Sequence, residues 1–482
     1  MKGRNFYCAL AIATYLVLSG CINLGPDYVK PDLGIKTPES YGNAPGETGL
    51  TLDNDPWWEV FGDRELNQIV EEVTKNNWDI KQSAARVLEA RAQFVRSRAD
   101  RFPTVNASGF KDRRLVDGGE FEDGIIVDTY ELAAPASFEI DLWGKLKKVS
   151  QAAWDDILQE EEARRTVAQS IVAEAVTRYL EMEAVERRLQ IAEQSIEAFR
   201  QSLQFVETRY RRGLTSVLDV RQARRVLAGA ETLIPQFEQE LGIIQQQLSV
   251  LLGRYPQTQT PRKQPSDYFK NLTPVPPGLP SDLLWRRPDL RSAEAGLKSL
   301  NELVGVAKAA RFPTITLTGS YGWSSKDLNK LLRSESVVWD LTAGIIQPLF
   351  DAGRLKAGQR AAEARYRQGV AGYVQTVLDA FAEVERALLT RKLQTIRRER
   401  ELVFLNEARA TQRVAEDRYI RGLVIYLDVL NAQITRFQAE DSLVLVDLAI
   451  LKNRVALHRA LGGSWAEPQP VAVQDDGIFF RF

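Results

Sequence analysis

Arg101-Phe102-Pro103-Thr104 recurs 210 residues later as Arg311-Phe312-Pro313-Thr314. Asp141-Leu142-Trp143-Gly144-Lys145-Leu146-Lys147 matches Asp351-Ala352-Gly353-Arg354-Leu355-Lys356. Arg209-Tyr210, Gly213-Leu214 and Leu218-Asp219-Val220 match Arg418-Tyr419, Gly422-Leu423 and Leu427-Asp428-Val429, and Leu252-Gly253 matches Leu461-Gly462. Anchors that keep a spacing of 209 or 210 residues over so long a stretch require two copies of one structural unit, 76–253 and 286–462. Whatever fold the first copy takes, the second must take as well. The segment between them, 254–285, holds seven of the 20 prolines and reads as a linker ordered against the body.

Each copy has the same order of patterns. A helix comes first, Asp79 to Arg101 and Pro288 to Arg311, stopped by Phe-Pro. Two alternating stretches follow, predicting strands at about 104–114 and 128–140, then 314–324 and 336–348. Ile315, Leu317, Tyr321 and Trp323 alternate with Thr316, Thr318, Ser320 and Gly322. Tyr130, Leu132, Ala134, Phe138 and Ile140 alternate with Glu131, Ala133, Ser137 and Glu139. Period two gives one apolar and one polar face. Such runs fit transmembrane barrel strands or a half-buried sheet in a sandwich, and the pattern alone leaves both open.

Helical hairpins complete the copies, at 144–252 and 353–461. Residues 145–212 contain neither Gly nor Pro, and at 1.5 Å per residue they span roughly 100 Å. Met182, Val185, Leu189, Ala192, Ile196, Phe199, Leu203, Val206 and Tyr210 keep the 3,4 spacing of a supercoiled seam, which resumes after Gly213 from Val220 to Leu251. Pro235 should interrupt or kink the returning helix. In the second copy Arg391, Gln394, Arg398 and Arg436 fall on apolar positions, so that hairpin is expected to pack differently, with a wetter face.

Residues 1–21 carry Lys2 and Arg4, then an apolar run from Phe6 to Leu18, then Leu18-Ser19-Gly20-Cys21. The run is too short to span a bilayer as a helix and has the layout of a secretory signal, 1–20. The last four residues resemble a bacterial lipobox, in which Cys21 becomes the lipidated first residue; an ordinary small-residue cleavage site is the alternative. Ile22, where a retention signal would place Asp, points to the outer membrane. The remaining boundaries are 21–62 for an extended N-terminal segment, 63–253 and 286–462 for the repeats with their flanks, and 463–482 for a tail.

Lys and Arg number 63 against 64 Asp and Glu, with no basic excess for nucleic acid. One His, and no Cys besides Cys21 once the signal is removed, leave no zinc site, disulfide framework or catalytic constellation. Neither an enzyme nor a cofactor is expected, apart from the covalent lipid on Cys21. Four strands cannot close a barrel, and lipid tolerates no open edge. A membrane reading therefore needs several chains: two would give eight strands and a filled interior, three would give twelve and an open lumen.

Gly25-Pro26-Asp27-Tyr28-Val29-Lys30-Pro31, Trp57-Trp58-Glu59-Val60-Phe61-Gly62-Asp63 with Leu66, and Leu279-Pro280-Ser281-Asp282-Leu283-Leu284 with Arg287-Pro288-Asp289-Leu290 stand in one order. In that order they resemble the TolC family of outer membrane factors, in its NodT-type, OprM-like lipoprotein branch serving resistance-nodulation-division efflux pumps. The resemblance covers nearly the whole chain. It implies a mainly α fold with a small transmembrane β part: a homotrimer whose shared 12-stranded β-barrel, four strands per chain, continues into a long α-helical coiled-coil barrel. It also implies a periplasmic adaptor and an inner-membrane pump as partners, with outer membrane lipids around the barrel and no nucleic acid. By the same resemblance the turns Gly213, Leu214 and Thr215 and Gly422, Leu423 and Val424 contact the adaptor. Tyr419, Leu427, Asp428 and Asn431 close the tunnel at its periplasmic end; many members carry a second acid where this chain has Asn431. Asp219, on the first hairpin, is expected to be structural, and His458 structural or solvent-facing. The alternatives are a type I protein secretion channel, or a periplasmic coiled-coil lipoprotein without a pore.

Overall fold

Asp63 opens the first long helix. Its carboxylate accepts the backbone N–H of Glu65 at 2.8 Å and of Leu66 at 3.3 Å, satisfying donors that a helix start leaves unpaired. The first copy then runs α1 (Arg64–Asn76), α2 (Trp78–Ala99), β1 (Thr104–Val105), β2 (Ser108–Val116), β3 (Ile125–Ile140), α3 (Lys145–Arg211), α4 (Val217–Glu231) and α5 (Leu233–Leu251). The second runs α6 (Leu283–Arg286), α7 (Pro288–Ala309), β4 (Thr314–Ser325), β5 (Val337–Ile346), α8 (Arg354–Ile420) and α9 (Tyr426–Ala460). This computed structural model describes residues 24–32, 34, 38–44, 56–116, 125–258, 275–278, 280 and 283–463. The signal segment, Cys21, most of 254–285 and residues 464–482 lie outside the described residues. Two compact units form. One contains Met1–Leu33, Arg86–Glu161 and Ser292–Val374; the other contains Gly34–Ala85, Glu162–Arg291 and Gln375–Phe482.

The first unit holds the sheet, antiparallel throughout, in the order β1-β3-β4-β5 with β2 also on β3. β1 and β2 are one strand with a gap: Thr104 opposite Ser137 and Ser108 opposite Ala133 keep a single register. The gap lies opposite Pro135, which has no N–H to donate, although its carbonyl still accepts the Asn106 N–H at 2.9 Å. The strand expected over 336–348 is shorter, Val337–Ile346. Its ladder stops just before Pro348, for the same reason.

The pleat sorts side chains as the alternation requires. Leu132, Phe138, Ile315, Leu317, Tyr321, Trp323, Trp339, Leu341 and Ile345 share one face, and Glu131, Glu139, Thr316, Thr318, Ser320, Asp340 and Thr342 share the other. The apolar face is exposed, Trp339 by 73% and Ile345 by 70%. Among the described residues the outer edges of β2 and β5 pair with no strand. Beside the sheet, Gly25 crosses Gly305 of α7. A Cβ added to Gly305 would stand 3.1 Å from the Gly25 Cα and 2.3 Å from the Lys148 side chain. Lys148 is buried and paired with Glu302 at 2.7 Å. Asn301 donates to the Pro26 carbonyl at 3.0 Å, and Lys30 pairs with Glu294 at 3.0 Å. The Gly-Pro-Asp-Tyr segment is thus seated on α7.

The second unit holds most of the apolar core. Trp57, Trp58, Phe61, Leu66 and Val70 pack with Val172, Val176, Leu180, Phe237 and Leu241. Tyr179 is fully buried there and donates its hydroxyl to Asp63 at 2.8 Å. His458 is stacked on Trp57, with ring centroids 5.3 Å apart. Burial, then the nearby Arg454 charge, push its pKa down to about 3, which makes it a neutral core residue. Arg287 is buried and bound by Asp289 at 2.6 Å, Glu383 at 2.8 Å and the Ala460 carbonyl at 3.0 Å. The Arg-Pro-Asp motif is therefore a structural knot.

The expected seam from Met182 to Val206 is buried, apart from half-buried Leu203, and releases at Tyr210. The returning helix is broken between Glu231 and Leu233, where Pro235 deprives the Glu231 carbonyl of its donor. In the second copy Arg398 pairs with Asp447 at 2.7 Å and Arg391 donates to the Val275 carbonyl at 2.8 Å. The charged positions in that seam hold ion pairs and hydrogen bonds instead of apolar contacts.

Candidate functional site

The two hairpin turns are built alike. Gly213 and Gly422 have φ of 72° and 75°, a left-handed conformation that costs a residue without Cβ little. In each turn this Gly N–H returns to a carbonyl three residues back, Tyr210 or Tyr419. The next N–H returns five back, to Arg209 or Arg418. These paired bonds close the last helical turn. Leu214 and Leu423 then project outward, 59% and 66% exposed. Val217 and Leu218 beside the first turn, and Ile420 and Ile425 beside the second, are exposed as well.

The residues just past the turns differ. Ser216 caps α4, and the Asp219 carboxylate accepts from the Thr215 hydroxyl and from the Ser216 N–H and hydroxyl. Burial raises the Asp219 pKa, these hydrogen bonds lower it more, and the net shift is downward. In the second copy Val424 and Ile425 stand where Thr215 and Ser216 stand in the first, and α9 has no side-chain cap. Asp428 occupies the position of Asp219, but it is exposed and its carboxylate has no partner among the described residues. One aspartate is consumed by its own turn; the other is left available.

Asp428 and Asn431 lie on the exposed side of α9, with Leu427 half-buried beside them. Tyr419 is not with them. It is 7% exposed, in a cluster with Val206, Val220, Tyr426, Val429 and Leu430, while Val424 packs against that cluster. Its ring lies against Tyr426 at 5.6 Å and below the Arg209 guanidinium at 5.1 Å. Tyr426, 2% exposed, shares a hydrogen bond of 3.0 Å with Ser202. The second hairpin is therefore latched to the first through Tyr419 and Tyr426. A second link lies farther along: Arg188 bonds Asp441 at 2.7 Å and covers the Phe237 ring at 4.4 Å. Sequence reasoning missed Tyr426 and Arg188. The available signal was an aromatic at Tyr426 where the first copy has Val217.

The sheet, the repeat and the twin turns meet in one family. The model for outer membrane efflux proteins matches residues 69–254 and 279–463, the two copies found above. The chain belongs to the outer membrane efflux protein family. It is 33% identical over 466 residues to the cation efflux system protein CusC of Escherichia coli O6:H1, covering 95% of this chain and 99% of that one. It is 32% identical to the solvent efflux pump outer membrane protein SrpC of Pseudomonas putida, covering 96% and 99%. The structure of the outer-membrane channel OprN superposes with a TM-score of 0.85 at 29% identity, covering 92% of this chain and 99% of that one. This efflux protein therefore has a TolC-like channel fold and resides in the outer membrane, and its relatives are transport proteins. Cation and solvent relatives stand at nearly equal identity, so overall likeness does not select a cargo.

Proposed function

We propose that this efflux protein is the outer membrane exit duct of a tripartite pump, conducting small molecules passively from the periplasmic side to the exterior. The observation that carries this is the four-strand sheet with one exposed apolar face, one polar face and two open edges. Three chains close such sheets into twelve strands around water, with lipid on the outer face. The exposed leucines at the turns, Leu214 and Leu423, suit docking by the hairpins of a periplasmic adaptor, which an inner-membrane pump would load. Cys21 carries the lipid that supplements the barrel as an anchor. Leu427, Asp428 and Asn431 of three chains narrow the periplasmic end, and Tyr419 holds them in place from beneath. A ring of Asp428 carboxylates favours cations there.

Planar bilayer recording tests the gate. Leu427→Ala with Asp428→Ala is expected to raise single-channel conductance, and Asp428→Ala alone to weaken block by multivalent cations from the periplasmic side. Leu218→Ala with Asp219→Ala should do far less. The reverse ranking would mean that the first hairpin lines the pore. Mass spectrometry of the mature protein should find diacylglyceryl-Cys21 at the N-terminus; an unmodified start elsewhere would remove the lipid from the scheme.

A further inference from the structure

The sheet leaves two edges open, and the internal repeat identifies what meets there. Inside the chain, the second strand of the first copy pairs with the first strand of the second copy, with Glu131 opposite Ser324. The hairpins fix which residues correspond. Thr104 lies opposite Ser137 in the first, and Thr314 lies opposite Ile346 in the second. Ile346 is therefore the counterpart of Ser137, and Asp340 the counterpart of Glu131. Arg114 is the counterpart of Ser324 at the 210-residue spacing. Repeating the same junction between chains brings β5 of one chain to β2 of the next.

In the three-chain barrel proposed above the β5 edge meets the β2 edge of a second copy, and we propose that Asp340 pairs there with Arg114 of the partner subunit. The inference rests on the three-chain barrel proposed above and names the contact that closes it. Asp340 is exposed on the edge strand and has no partner among the described residues. Arg114 is 70% exposed at its side chain, and among the described residues its guanidinium bonds only its neighbour Asp112, at 2.7 Å through Nε. Both lie on the polar face, through the registers Asp340–Ser320 and Arg114–Val127. A slip of one residue would put them on opposite faces. A slip of two would leave Arg114 diagonal to Asp340, still within reach of a long side chain. The same junction sets exposed Phe110 over Gly344, where a Cβ would meet only the Thr316 hydroxyl at 3.4 Å. An aromatic covering a strand glycine is a favourable edge contact.

The test uses the full-length lipoprotein in detergent and reads the heat-resistant trimer band on SDS gels. Asp340→Arg and Arg114→Asp should each lose the band, and the double exchange should restore it. Glu131→Gln, on a central strand, should leave it unchanged. As a second readout, Asp340→Cys with Arg114→Cys should give a covalent ladder on oxidation. Asp340→Cys with Lys111→Cys, on the opposite face, should give none. Single exchanges as heat-resistant as the wild type, or a ladder from the second cysteine pair alone, would overturn the contact while leaving the trimer standing. A wild-type protein that is monomeric by light scattering would remove the three-chain reading and this contact with it.

Discussion

Tyr426→Phe removes one atom from the latch between the two hairpins. The lost interaction is the 3.0 Å hydrogen bond with Ser202, made by a residue 2% exposed. A hydrogen bond of this kind contributes about 1 kcal/mol net, which is about fivefold in an equilibrium constant. If the closed entrance is held by the second hairpin resting on the first, the open population in planar bilayers should rise by about that factor. Ser202→Ala should give the same rise. The double variant should add little to either single, because both remove one bond. Arg209→Ala, which takes the cation from above the Tyr419 ring, should act in the same direction. The reasoning fails if Tyr426→Phe and Ser202→Ala leave open probability unchanged, or if their effects add in full.

Three further outcomes are expected. Burial, then the neighbouring Glu302, push the Asp155 pKa up to about 6, so the charged form costs stability at neutral pH, and the cost fades as pH falls from about 6 to the ordinary value of 3.8. Asp155→Asn should therefore raise the melting temperature at pH 7.5, with no gain left near pH 4; an equal gain at both would contradict this. Gly305→Val should push Lys148 and Gly25 apart and expose the seated N-terminal segment to chymotrypsin after Tyr28, which limited proteolysis would show. Arg287→Ala should cost about 2–3 kcal/mol in denaturant unfolding, because it removes a buried donor shared by two half-buried acids and the Ala460 carbonyl, and Arg287→Lys should recover only part, lacking the planar fork.

Much of this architecture was legible because it is periodic. Alternation at Ile315–Trp323 sorted the strand faces, and the 3,4 spacing from Met182 to Val206 marked the buried seam. The gap opposite Pro135 and the helix break near Pro235 follow from missing N–H donors, a local cause that sequence shows directly. Tyr419 is different. Its place in the interior depends on Val206 and Val220, contacts between distant segments that no local period encodes. Ser216 followed three residues later by Asp219 carries a capping signature, and Ile425 before Asp428 lacks one. That difference was readable, but its meaning emerged only once the free Asp428 and the occupied Asp219 were seen at equivalent turns.

α3 and α8 have the same length, 67 residues each. Each ends in a turn that carries an exposed leucine, Leu214 or Leu423. Deleting one residue from either helix would withdraw its turn by about 1.5 Å and swing it by about 100°, carrying every seam residue beyond the deletion off its stripe. Only a change of about seven residues restores the stripe. A lineage that needed a longer or shorter duct would have to alter both halves of the gene together, a whole heptad at a time. Insertions and deletions should therefore collect in the loops after β2 and β4, and the two long helices should keep a common length while their surface residues diverge.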